Sequence, residues 1–444
     1  MKFVADLHLH SKYSRAVSPS MTLHVMAQYA RQKGIDILTA SDFTHPVWFK
    51  EIKEQLVEAG EGVYKLKTDN EKLKTIHFLL STEISSIYKQ GDKLRRIHNL
   101  VFVPSLEVAE KVNFELLKRG CNVSADGRPI VGISAKNLLE MLLAIDERCL
   151  LIPCHVWTPH FGVYGSASGF DSLDEAFGDL AKYVYGIETG ISSDPGMNWE
   201  IKELMNRSIL SFSDAHSAPK MGREATVFEL EKVTYENIRR AIMRDTTQKN
   251  TIVYTLEFYP EEGKYHFSGH RNCKVAQGPD EIRAGGNICP VCNRRLTEGV
   301  LFRVQQVADS ALLDRVAKHN NTQGLRWYTD KRGIQPPYVK MVPLLEVVAE
   351  SLGMGVGGKR VQALYDKVCL ELGSELDILM KMPLDEIESV GGENLVEAIT
   401  KVRGGDIAII PGYDGEYGKV QIWDVPLSTS RRKLENKAQL KLEF

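Results

Sequence analysis

Apolar positions along the first part of the chain fall into two alternating patterns. Short continuous runs, Ile35-Asp36-Ile37-Leu38, Phe78-Leu79-Leu80, Leu100-Val101-Phe102-Val103 and Leu150-Leu151-Ile152, predict buried strands. Between them, apolar residues recur every three to four positions at Leu23 to Lys33, Leu106 to Arg119, Lys136 to Asp146 and Asn198 to Asn206, which predicts amphipathic helices. Strand and helix in alternation predict an α/β sheet or barrel, with reactive groups at the carboxyl ends of the strands.

The pattern changes after this region. A cysteine cluster spans 270–292, three prolines (Pro336, Pro337, Pro343) read as an extended connector, and glycine-interrupted helical periodicity runs from Leu344 to Arg403. The expected division is 1–255 for the α/β unit, 256–300 for a small metal-binding module and 301–343 for a connector. A helical region with a β-like end at 344–425 and a charged tail at 426–444 complete it.

Bulk composition narrows the class without deciding it. A chain of 444 residues exceeds the ~250 to 300 at which a single core stops growing, so two or three domains are expected. With 43% hydrophobic and 26% charged residues and a formal charge of −2, any nucleic-acid contact must come from local patches. No run of ~18 apolar residues predicts a membrane span, and the N-terminus turns polar at once. Four of the seven cysteines, Cys121, Cys149, Cys154 and Cys369, are scattered and read as reduced thiols, which predicts a cytoplasmic protein.

Chemistry enters with the residues that flank the apolar runs. His8 and His10 stand two apart, so on a strand both imidazoles face the same way. Glu83, His98, His155, Asp214 and His216 follow in order, each beside a short apolar run, with Asp42 a further candidate. Imidazoles with carboxylates suit Zn²⁺, Mn²⁺ or Mg²⁺, and a carboxylate can bridge two ions that activate water against a phosphodiester. Of these, His8, His10, Glu83 and Asp214 are the catalytic candidates. Without ions, so many ionisable groups in one pocket would be mutually unfavourable.

Two further regions carry signals. His270-x-x-Cys273 followed by Cys289-Pro290-Val291-Cys292 matches the ligand spacing of a tetrahedral structural zinc site, with His266 as the alternative to His270. Arg294 and Arg295 stand where they could reach phosphates. Farther on, Gly353 to Gly358 leads into a helix that begins near Lys359 and Arg360. Helix, glycine turn, helix is the arrangement by which backbone N–H groups approach a DNA phosphate, and it is also an ordinary way to pack two glycine-capped helices.

Asp6-Leu7-His8-Leu9-His10, Ser41-Asp42, Glu83, His98, His155 and Ser213-Asp214-Ala215-His216 resemble the polymerase-and-histidinol-phosphatase superfamily of metal-dependent phosphoesterases. The resemblance covers about residues 1 to 250 and implies a distorted β/α barrel with two or three ions. It implies one ion held by His8, His10, Glu83 and Asp214, and a second shared by Glu83, His98 and His155. Two of the superfamily's histidines are missing, where Phe43 and the Arg15-Ala16 pair stand, so a third ion would depend on His45 and His216.

The order of barrel, cysteine module and helical part, with Pro411 to Gly418, is similar to the endonuclease Q family. That likeness implies a metal-dependent DNA repair endonuclease acting on single- or double-stranded DNA, 5′ to uracil, hypoxanthine, xanthine or an abasic site. A base read this way leaves the stack, and Trp157, Phe161, Tyr164, Ser166 and Ser168, just beyond His155, are the candidate lining of its pocket. A small-molecule phosphatase and a non-catalytic DNA-binding accessory protein are the alternatives. For a sliding-clamp partner the tail offers no clear binding box.

Overall fold

The computed structural model describes residues 1–68 and 73–423. The four apolar runs lie in strands Ile37–Ala40, His77–Gln90, Lys93–Val103 and Leu150–Pro153 of one mixed sheet. Lys2–Ala5 lies parallel to Ile37–Ala40, which lies parallel to His77–Gln90. His77–Gln90 and Lys93–Val103 then form a long antiparallel hairpin in register from Leu80–Val103 to Gln90–Lys93, and Leu150–Pro153 pairs beyond it. A separate parallel ladder joins Gly186–Glu188 to Ser208–Leu210. It meets the rest through the isolated bridge Leu9–Ala215 and the Val156 N–H to Glu188 O bond of 3.2 Å. The fold is α/β around a central sheet, and its ladders do not close a barrel among the described residues.

Three predicted helices are present at Leu23–Lys33, Leu106–Lys118 and Ala135–Ile145. Each starts on a hydroxyl cap, Thr22, Ser105 or Ser134, which accepts from a backbone N–H of the first turn. Their apolar faces bury Met26, Val112 and Leu138 in one core with Leu38, Phe78 and Val101 of the sheet. Burial of each such side chain stabilises by roughly 1.5–3 kcal/mol. The helix expected over Asn198 to Asn206 does not form. Instead, Asn198 ends a short turn at Pro195–Asn198, its amide donating to Ser193 Oγ and Asp194 O while its carbonyl accepts from Trp157.

On its other side the sheet continues through Ala225–Glu229, Thr251–Glu257, Tyr338–Lys340, Arg326–Asp330 and Val316–Asn320. The stretch 301–343, expected as a connector, therefore carries three strands at the sheet's edge. Pro336 and Pro337 lie just before Tyr338–Lys340, where the missing N–H costs no ladder bond and the Pro337 carbonyl still accepts from Thr255 at 3.2 Å.

Helices Leu344–Ser351, Lys359–Leu372, Glu375–Met380, Leu384–Gly391 and Glu393–Gly404 gather a second core around Val348, Val361, Ile378, Leu395 and Ile399. That core packs on Ala225, Leu256 and Val339 of the sheet. Next, the 411–418 loop lies against 261–267: Gly412 N–H donates to Glu261 O at 2.8 Å and Gly418 N–H to Glu262 O at 3.0 Å. A Cβ at Gly418 would lie 2.2 Å from Glu261 O, so only glycine permits the approach. Residues 424–444, which include the expected charged tail, lie outside the described residues. Among the described residues no helix is long and apolar enough to cross a membrane.

Candidate metal centre

His8 and His10 alternate with Leu7 and Leu9, whose side chains enter the apolar cores, and both imidazoles are fully buried at the strand end. Glu83 lies inside the long hairpin opposite Leu100, which puts it diagonally across from His98 on the same face. His155 follows Leu150–Pro153, Asp214 follows Ser208–Leu210, and Asp42 follows Ile37–Ala40. All three are non-glycine residues in left-handed backbone, with φ of 34°, 46° and 59°. Such strain persists only where the surrounding structure over-determines it, typically at functional sites.

These side chains converge. Glu83 Oε1 lies 2.5 Å from His98 Nδ1 and 3.2 Å from His155 Nε2, and its Oε2 lies 3.3 Å from His10 Nε2. His10 Nε2 is 3.0 Å from Asp214 Oδ1, and His216 Nδ1 is 3.6 Å from that same oxygen. Burial disfavours charge on Glu83, but His98 and His155 outweigh it and hold the carboxyl well below the usual range. Burial likewise opposes charge on His8 and His10; the neighbouring carboxylates prevail, holding His8 well above its ordinary value and His10 at about 9.

The donors fit divalent cations. His8 Nε2 and Glu83 Oε2 face each other at 3.8 Å, both buried and without a hydrogen-bond partner. Orphaned buried polar atoms are costly, and a cation between them would satisfy both. Ligand atoms of His8, His10 and Glu83, and those of His10, Asp214 and His216, each fall within 4.8 Å of one another.

Seven of the eight predicted residues are thus brought together, and Asp42 takes a different place. Its Oδ2 accepts from Ser11 N at 2.6 Å and Ser14 Oγ at 2.7 Å, and its Oδ1 lies 3.3 Å from His10 Nδ1, so it steers His10 from behind. His45 is a helix cap stacked on Tyr13, away from the cluster. Glu188 went unrecognised in the sequence. It takes His8 Nδ1 at 2.9 Å and accepts from the His155 backbone N–H at 3.0 Å. Its signal was available: Gly186-Ile187-Glu188 is another short run closing on a carboxylate. Arg128 was also overlooked, and a loop arginine carries no pattern.

A cleft of about 570 Å³ opens on the cluster, lined by His98, His155, Asp214 and His216. Its walls carry four cations, Arg128, Lys220, Arg223 and Lys264, and the aromatics Phe161, Tyr265 and Tyr417. Of the five residues expected in a lesion pocket, Phe161 lines this cleft, 4.6 Å from the His98 ring. Trp157 and Tyr164 do not. They are fully buried, stacked at 4.7 Å and tied to Asn198 and Glu203, because the loop folds back over its own glycines and turns them inward. Ser168 is buried on His160 O, and Ser166 is exposed away from the cleft lining.

The second cluster is intact as well. Ligand atoms of His270, Cys273, Cys289 and Cys292 lie within 4.8 Å of one another, with His270 Nδ1 3.2 Å from Cys292 Sγ. His266 is buried and absent from this group. Asp414 of the 411–418 loop accepts from Arg271 N and Thr297 Oγ1, tying the module to that loop. Arg294 and Arg295 are exposed, as are Lys359 and Arg360 at the start of Lys359–Leu372, a helix that no side chain caps.

Comparison with known proteins bears on the whole length. Residues 343–406 match the MJ0043 C-terminal domain family. MJ0043 itself, from Methanocaldococcus jannaschii, is 29% identical over 271 residues, and the chain spans 31% of that longer protein. YqxK of Bacillus subtilis is 26% identical over 95% of this chain and 99% of its own. The lesion-specific endonuclease PfuEndoQ of Pyrococcus furiosus superposes with a TM-score of 0.78 at 28% identity, covering 97% and 99% of the two chains. Endonuclease Q in complex with a 27-mer duplex that carries an abasic lesion superposes at 0.79 with 30% identity, covering 96% of this chain and 97% of that one. The chain belongs to the endonuclease Q family. The endonuclease Q likeness extends over the buried cluster, the cysteine module and the helical region together, since so little of the chain falls outside it.

Proposed function

We propose that this chain nicks the DNA backbone on the 5′ side of a deaminated base or an abasic site, after the target nucleotide is everted into the cleft beside His98 and His155. As an endonuclease Q family member it is a metal-dependent DNA endonuclease. The observation that carries it is a buried His/carboxylate cluster opening on a cleft walled by Arg128, Lys220, Arg223 and Lys264. Four cations around an acidic centre suit a polyanion better than a neutral ester.

His8, His10, Glu83 and Asp214 would hold one divalent ion, and Glu83, His98 and His155 a second, with His216 beside Asp214. Bound there, such ions would offset phosphate charge and make water acidic enough to attack near neutral pH. The protein's own part is orientation. Glu188 holds His8 Nδ1 and so presents Nε2 to the cluster, and Asp42 does the same for His10. Arg223 donates twice to Ser213 O, fixing the residue before Asp214. Lys220 and Lys264 meet phosphates at the rim, and Phe161 and Tyr265 offer faces to an unstacked base. A lesion that pairs poorly costs less to evert, which favours damaged over intact DNA.

His270, Cys273, Cys289 and Cys292 would hold a structural zinc, with Arg294, Arg295, Lys359 and Arg360 on the backbone away from the nick. The test is a set of end-labelled duplexes, identical except for uracil, hypoxanthine, an abasic site or no lesion, incubated with chelated protein and then with Mg²⁺, Mn²⁺ or Zn²⁺. Metal-dependent nicking immediately 5′ of the lesion is expected; equal cutting of the undamaged duplex would overturn the lesion preference.

A further inference from the structure

We propose that Arg128 is a fixed cation of the reaction, binding the non-bridging oxygens of the phosphate that is cut; this rests on the endonuclease reading above. Its side chain is about one-fifth exposed and lines the cleft with His98, His155, Asp214 and His216. Its Nη1 lies 3.7 Å from Glu83 Oε2, beyond hydrogen-bond reach of the carboxylate at the heart of the cluster. Nη2 donates to Arg15 O at 3.3 Å, which steadies one edge of the guanidinium and leaves the other turned to the cluster.

The loop that carries it is built for position. Gly127 N–H donates to Tyr13 O at 3.1 Å, and Thr44 Oγ1 donates to Gly127 O at 3.4 Å. A Cβ on Gly127 would sit 2.2 Å from Ser14 Oγ and 2.6 Å from Asp42 Oδ2, so the backbone presses directly on the residues behind the cluster. On this side Asp42 has its oxygens engaged by Ser11, Ser14 and His10 and offers no free ligand to another ion. The positive charge here is therefore covalent. A guanidinium is planar and permanently charged, and its fork matches two phosphate oxygens at once, unlike a lysine ammonium. Once ions neutralise Glu83, the guanidinium's field falls on the phosphate as charge builds on its oxygens.

Arg128→Ala and Arg128→Lys test the assignment in single-turnover nicking of a uracil duplex. Arg128→Ala should slow the step by about 10²- to 10³-fold, the usual cost of one preorganised donor. Divalent ion content and melting temperature should stay at wild-type values, and added guanidinium ion should restore part of the rate. Arg128→Lys should fall between. In chelated protein, tungstate binding followed by calorimetry should weaken in Arg128→Ala. Undiminished nicking by Arg128→Ala, or loss of bound ions without guanidinium rescue, overturns the proposal and reduces Arg128 to a support for Glu83. If Arg128→Ala is unstable, Arg128→Lys at the wild-type rate overturns it equally. A wild-type chain that nicks no lesion duplex sinks the endonuclease reading and this proposal together.

Discussion

The cysteine module takes its four candidate ligands from residues 270–292, whereas the buried cluster collects its own from positions between His8 and His216. Behind the first lies a core of Ile282, Cys289 and Leu296, with three partly buried neighbours. Behind the second lie two large apolar cores that include Leu7, Leu9, Ile152 and Leu210. A core as small as the module's supplies little folding free energy, so ligand–metal bonds must supply most of it. The buried cluster is in the reverse position: sheet and helices hold its side chains together, and an ion relieves an electrostatic cost that the scaffold already bears. Histidine is common to both candidate sites, yet the two serve opposite ends, one made by its metal and the other made for it.

The two sites should differ most in how they respond to loss of a ligand. His8→Ala or Asp214→Ala should abolish nicking with the melting temperature near the wild-type value, as gel assay and calorimetry would report. Glu188→Gln, at a residue that orients His8 and holds the His155 backbone, should cost about 10- to 100-fold, the usual effect of an outer partner of a metal ligand. Unfolding by either ligand variant would mean that this cluster, too, is made by its metal.

Cys289→Ser sharpens the other half. It should remove one zinc per chain, and hydrogen exchange should rise across 268–297 to near unprotected rates. The hairpin His77–Gln90 with Lys93–Val103 should keep its protection. Protection retained at 268–297 would show that the module folds without metal.

The scaffold near the cluster titrates in its own right. Burial pushes Glu257 up to about 8 from an ordinary 4.5, against hydrogen bonds from the Ser211 and Thr255 hydroxyls. Between those values the native chain holds a proton that the unfolded chain has lost. Stability from this carboxyl is therefore complete below 4.5 and gone once pH passes 8. Glu257→Gln, neutral throughout, should gain in melting temperature over the wild type from pH 5 to pH 9, and a constant difference would refute this.

Smallest of all, Lys359→Ala and Arg360→Ala should each weaken DNA binding a few-fold and lower the salt slope by about one. An unchanged slope would return the 353–358 turn to a packing role, the other reading of its glycines.

Much of this could be read from residue order because it is local. A His-x-His on a strand, a Cys-x-x-Cys beside a second pair, and helices Leu23–Lys33 and Leu106–Lys118 with hydroxyl caps all express periods of a few residues. The misreadings share a different cause. Trp157 and Tyr164 looked like pocket aromatics because they follow His155, yet the fold of their loop turns both inward onto Asn198 and Glu203. The 301–343 stretch looked like a connector because of its prolines, yet Tyr338–Lys340 joins the sheet against distant Thr251–Glu257 and carries Arg326–Asp330 and Val316–Asn320 outside it.

Residue order alone supplies candidates for metal ligands, since short spacings and strand ends constrain the face each one occupies. Which carboxylate faces the ions and which stands behind a histidine was decided only in three dimensions. Asp42 and Glu188 each stand behind a histidine, His10 and His8, the latter 180 residues from its carboxylate, whereas Glu83 and Asp214 meet the His10 Nε2 that faces the cluster. A carboxylate's role follows from what its lone pairs meet, and those partners are assembled by folding.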